Sequence, residues 1–126
     1  MARNAGIIPA LRLPRFPTIA VSIGMAVDRH GNPVTVRGAR AFGAACDSID
    51  ATAIARKSGI TVGIDGQENL LYGENLTEGD ELTAGADSKW YRAASGEVVS
   101  AYCTFTGVAG QLGSGKLLDG SGYLKP

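Results

Sequence analysis

The stretch LTEGDELTAGADSKWYRAASGEVVSAYCTFTG, residues 76–107, decides the fold class. Its apolar runs are short, and Gly, Asp and Ser separate them. It therefore reads as strand, turn, strand, turn, long strand, with no 3.6-residue periodicity. The same texture extends upstream. TIAVSI (18–23) is a short β-branched run, and MAVDRHGNPVTVRG (25–38) holds two strand-like runs around Arg29-His30-Gly31-Asn32. Gly and Asn there supply the positive φ that a hairpin turn needs. ARAFGAAC (39–46), ITVGI (60–64) and ENLLYG (68–73) are further candidate strands, with Asp65-Gly66 as a turn after ITVGI. SIDATAIARKSG (48–59) is either a loop or a short helix capped by Asp50 and ended by Gly59.

With 126 residues there is room for one core. Eighteen glycines are spread without a Gly-X-Y period, which excludes collagen and favours many tight turns. The expected fold is all-β, a compact sandwich or tulip-like barrel over residues 19–126. A faint echo supports this: one unit runs from Gly24 to Cys46 and a second from Gly79 to Cys103, each closing on an apolar strand. Two such units would build a pseudo-symmetric β domain.

Residues 1–18 differ. Pro9, Pro14 and Pro17 remove backbone donors and favour extended chain. The segment holds Arg3, Arg12 and Arg15 and no acid, together with Ile7, Ile8, Leu11, Leu13 and Phe16. It reads as an extended basic arm, roughly 60 Å long if fully stretched. It is either a self-packed or disordered leader, or an arm that becomes ordered on another subunit. It lacks the continuous apolar run of a signal peptide or membrane span.

Net charge is zero, which argues against general nucleic-acid binding. Charge is nevertheless segregated. Residues 1–57 carry eight Lys/Arg against three Asp/Glu, and residues 58–126 carry four against nine. Between Asp65 and Asp87 there are seven acids and no base, among them Glu78, Asp80 and Glu81. This stretch reads as a solvated or partner-facing surface.

The chemical signals fail one by one. Gly110-x-x-x-x-Gly115-Lys116 looks like part of a phosphate loop, but Leu117 replaces the Mg²⁺-binding Ser/Thr and too few residues follow to form the helix. His30 is the only histidine and lies in a turn. Cys46 and Cys103 lack zinc-ligand spacing and read as small core residues or a mutual disulfide. Trp90 and Tyr91 face opposite sides of a strand, one toward the core and the other a candidate interface anchor. No catalytic, metal or cofactor constellation is expected, and the chain reads as a non-enzyme.

The phrases VSIGMAVDRHGNPVTV (21–36) and GITVGIDGQENLLYGENLTEGDELTAGADSKWYRAASGE (59–97) carry a Gly-(Ile/Val)-x-Val run, a Leu-Thr-x-Gly-Asp-x-Leu-like turn and an Ala-x-Ser-Gly turn. In this order they resemble the capsid decoration proteins of tailed phages, also called cement or head-stabilising proteins, across about Ile19 to Leu118. The resemblance implies a homotrimer on the outer surface of an expanded head, where it cements neighbouring major capsid protein subunits. It also implies an N-terminal segment that joins the lattice by strand addition. Under it, Arg3, Ile7, Ile8, Leu11, Arg12, Leu13, Arg15 and Phe16 contact the capsid or a neighbouring subunit, and Trp90, Tyr91, Glu78, Asp80 and Glu81 are possible interface residues. The virion is the expected location, with no direct nucleic-acid or membrane partner. The alternative is a small carbohydrate-binding β module using Trp90 and Tyr91 as a platform.

Overall fold

The computed structural model describes residues 11–126. Along this span run β1 (Leu11–Arg15), β2 (Ala26–Val27), β3 (Gly43–Ala45), α1 (Ala51–Ala55), β4 (Ile60–Leu71), β5 (Glu81–Ala84), β6 (Trp90–Arg92), β7 (Val98–Val99), β8 (Ala101–Cys103), β9 (Leu112–Leu118) and β10 (Tyr123–Leu124). The main sheet is antiparallel, in the order β2-β3-β4-β9-β8-β5-β6, with β1 also paired to β4. Its ends nearly meet. Tyr72 bridges Trp90, the Gly73 amide donates to the Trp90 carbonyl at 2.8 Å, and the Ala26 amide donates to Ser88 at 2.8 Å. The fold is thus a nearly closed all-β barrel, which hides the edges an open sheet would leave unpaired.

β4 is the spine. Its first half pairs with β3 on one side and β1 on the other, and its second half pairs with β9 from Asp65↔Leu118 to Leu71↔Leu112. The turn expected at Asp65-Gly66 does not form, and residues 68–71 are not a separate strand. One strand runs straight through. Gly66 takes φ +89 inside it, a conformation that redirects a strand without ending its ladder. Alternate residues Ile60, Val62, Ile64 and Leu70 are buried, the period-2 pattern of a half-buried strand.

The arm also differs from expectation. Leu11–Arg15 is a strand of this chain's own sheet, so the domain begins before Thr18. Pro14 fits there because β1 pairs on one side only. The run Pro33–Arg37 contributes a single bridge, Val27↔Pro33, and no strand. The expected long strand through VVSAYC breaks at Ser100: β7 pairs with β10, and β8 pairs with β5 and β9. Asp50 does cap α1, accepting from the Ala53 amide at 2.8 Å.

The internal echo is real at the level of backbone bonds. In the first copy Val21 bridges Ile49, Gly24 N–H donates to Ala45, Ala45 N–H donates to Met25, and Phe42 N–H donates to Val27. In the second Leu76 bridges Gly107, Gly79 N–H donates to Cys103, Cys103 N–H donates to Asp80, and Ser100 N–H donates to Leu82. The alignment sets Ala45, not Cys46, opposite Cys103. Two packed clusters fill the interior. One gathers Leu70, Tyr72, Leu76, Leu82, Trp90 and Leu117; the other gathers Val21, Val27, Ile49, Ile60, Val62 and Ile64.

Candidate functional site

β1 places its side chains alternately. Arg12 reaches Glu68 on β4 through two bonds, Nε to Oε2 at 2.8 Å and Nη2 to Oε1 at 3.0 Å. Glu68 is almost fully buried and folds over Gly63, where a β-carbon would collide with its carboxylate. The planar guanidinium matches both carboxylate oxygens, and the hydrogen bond to Glu68 raises the Arg12 pKa further. Arg12, expected to contact the capsid or a neighbouring subunit, is thus paired within the chain, with its side chain still half exposed. Leu13 packs partly against the second core cluster. Leu11 and Phe16 stay exposed, Phe16 at 66% beside Gly59 and the end of α1. Arg3, Ile7 and Ile8 lie outside the described residues.

The aromatic pair separates as two faces of a strand require. Trp90 is fully buried, its Nε1 donating to the Gly24 carbonyl at 3.0 Å. It is neither an interface residue nor half of a sugar platform, because the barrel closes over it. Tyr91 is half-buried; its ring packs on Gly73 and Gly85, Arg37 lies 4.9 Å over it, and its hydroxyl donates to Asp87 at 2.7 Å.

The acidic stretch is largely neutralised within the chain. Asp80 pairs with Arg92 at 3.2 Å, and Asp65 faces Lys116 at 3.7 Å. Glu81 accepts from Lys125 and from the Tyr123 hydroxyl, which hold its carboxyl below the usual range. The partners come from distant strands, so a segment that reads as acidic is a set of cross-strand ion pairs. Glu78 remains exposed at a turn tip.

Lys116 sits within β9, and Gly113 and Gly115 face Tyr72 and Leu70, so the phosphate-loop spacing is strand packing. His30 is exposed in its turn, where the Asp28 carboxylate accepts from the His30 and Asn32 amides. Both cysteines are free thiols. Cys103 is buried against the Tyr72 hydroxyl, and Cys46 is half-buried beside Glu68.

Sequence reading missed one feature. Arg15, Arg29 and Arg40 converge on Phe42. The Arg15 guanidinium lies 5.3 Å over that ring and its Nε donates to the Arg29 carbonyl at 2.6 Å, while Arg29 and Arg40 line a recess of about 390 Å³. Arg15 ends β1, Arg29 lies in a turn, and Arg40 and Phe42 lie in the segment leading into β3, so no local motif announces them. Among the described residues no helix is long and apolar enough to cross a membrane.

No protein-family profile matches the chain, and no curated protein matches it in sequence. A solved structure does match in fold: the head fiber gp8.5 N base of bacteriophage phi29, with TM-score 0.65 over 88% of this chain and 96% of that one, at 14% identity. At that identity the likeness is one of fold, and it spans nearly the whole of both domains.

Proposed function

We propose that this chain is a structural, non-enzymatic protein of a tailed-phage virion that decorates the outer surface of the expanded head and cements neighbouring major capsid protein subunits. The observation that carries the reading is the fold shared over 96% of a phage head-fiber base. The turn phrases that resemble decoration proteins support it independently. A trimer is the proposed state, since several modest contacts made together give avidity. The carbohydrate-binding alternative loses its platform with Trp90 buried.

The test is co-sedimentation with expanded heads and with unexpanded precursors, combined with light scattering of the free protein. Binding to expanded heads only, at a fixed copy number, is the expected result. Absence of binding to either form would overturn the reading. The arm is tested by deleting residues 1–10 alone, because a cut at Pro17 would also strip β1 from the sheet. A chain lacking residues 1–10 is expected to fold and to decorate heads weakly.

A further inference from the structure

We propose that the recess between Arg29 and Arg40 is a carboxylate-binding socket that takes an acidic segment of the shell protein. This inference rests on the decoration role above. The recess is lined by Asp28, Arg29, Arg40, Phe42 and Gly120, with Arg15 stacked on Phe42 at its side. Arg29 and Arg40 thus share the recess with one carboxylate, Asp28, which accepts from the turn amides of His30 and Asn32. Arg15 donates to the carbonyls of Pro14 and Arg29, and Arg40 reaches only the Gly120 carbonyl at 3.5 Å. Arg29, Arg40 and Arg15 form no ion pair among the described residues, whereas Arg12, Arg37 and Arg92 each do.

Among the described residues no carboxylate other than Asp28 lines the recess. Residues 1–10 contain neither Asp nor Glu. Most of the acids are committed elsewhere, to ion pairs, to turn amides or to the cap of α1. An incoming carboxylate between two planar guanidinium groups, over an aromatic floor, gains charge-assisted forked bonds that a lysine pair would not offer. A nucleic acid fits less well. It needs a track of cations matched to successive phosphates, and here the cationic ground is a single recess with Asp28 in its wall and Asp119 next to Gly120.

The experiment has two arms. In the first, the wild-type chain and the Arg29→Glu/Arg40→Glu and Arg29→Lys/Arg40→Lys variants are titrated onto expanded heads at rising salt. The charge-reversed chain is expected to bind on the order of tenfold or more weakly with an unchanged melting temperature, and the lysine chain to fall between. In the second, a short oligoglutamate peptide, inorganic phosphate and duplex DNA are each added to the free protein while the Arg29 and Arg40 Nε–H resonances are followed. Shifts with oligoglutamate alone support the socket. Equal head binding by the reversed chain overturns the proposal, as does a response to DNA without one to oligoglutamate. Loss of self-association alone in the reversed chain assigns the recess to a second copy and also overturns it. Heads left bare by the wild-type chain defeat the decoration role, and the shell partner with it. The oligoglutamate arm then reports separately whether a carboxylate site exists.

Discussion

In the turn Ser22–Met25, Gly24 sits at φ +86, Met25 N–H donates to the Ser22 carbonyl at 3.1 Å, and the Ser22 amide points at the Met25 sulfur at 3.4 Å. In the turn Thr77–Asp80, Gly79 sits at φ +96, Asp80 N–H donates to Thr77 at 3.0 Å, and the Thr77 amide donates to the Asp80 carboxylate at 2.8 Å. The local design is one: a type II turn with glycine third and an acceptor side chain fourth, folded back on the first amide. Val108–Gln111 repeats it, with the Gln111 side-chain oxygen as acceptor at 3.0 Å. The surroundings differ. A β-carbon on Gly24 would lie 2.5 Å from Leu112 and 2.8 Å from the Leu71 amide, and the Gly24 carbonyl already receives Trp90 and Leu71. A β-carbon on Gly79 would meet nothing within 4 Å. The same backbone is a buried keystone in one copy and a free surface loop in the other. Local chemistry sets the turn, and the neighbours set what it costs to change it.

The sharpest way to break the comparison is to put alanine at each glycine. Gly24→Ala adds a clash with fixed backbone to the strain of positive φ, and is expected to cost more than about 3 kcal/mol or to prevent folding. Gly79→Ala keeps only the φ strain, about 1 kcal/mol. Urea unfolding of both variants measures the gap; equal losses would show that the two environments are equivalent after all. Next in size is Trp90→Phe, which removes the indole donor to Gly24 and part of a buried ring. A loss of about 2 kcal/mol is expected, read from the same unfolding curves.

Asp80→Ala in the open copy removes both the bond to the Thr77 amide and the Arg92 pair, and is expected to cost about 1 kcal/mol. Asp80→Asn keeps the acceptor and should recover most of that, because exposed ion pairs contribute little. The smallest effect concerns Cys46, which follows β3. Burial, and then the nearby Glu68 charge, push the Cys46 thiol up to about 11 from an ordinary value near 9. In the unfolded chain the thiol ionises first, so its contribution to stability is complete below about pH 9 and is lost as pH rises through 11. The half-exposed position limits this to less than about 1 kcal/mol. Unfolding of the wild type and of Cys46→Ala from pH 8 to pH 11 checks it, and a variant that tracks the wild type across that range removes the thiol as the cause (pH values set about its ordinary and raised titration).

Much of the fold is legible in the chain because turns are local. Glycine before Met, Asp, Gln or Glu marks the turns at Gly24, Gly79, Gly110 and Gly96, the last with the Glu97 carboxylate accepting from the Ala94 amide at 2.7 Å. Asp50 offers a cap for the helix that forms, with a loop as the alternative. Asp65-Gly66 shows where this reading ends. It has turn composition and positive φ, yet β9 on one flank keeps it in a strand. A turn and a strand can use the same residue, and only the partner strand distinguishes them. β1 is a similar case: its proline and arginines read as a free arm, while β4 offers it a ladder and Glu68 offers Arg12 a buried partner.

The sequence by itself determined the all-β class and the turn positions other than Asp65-Gly66, and it offered Asp50 as a candidate helix cap. Each depends on φ preferences and side-chain hydrogen bonds within a few residues. Only the tertiary structure decided that the sheet closes over Trp90, that the acids of β4 and β5 are neutralised by Arg12, Lys116 and Lys125, and that Arg29 and Arg40 line one recess with Arg15 stacked on Phe42 beside it. These are meetings of residues far apart in the chain. They are set by which strands pair and in what register, and a register is chosen by the burial of the whole sheet at once.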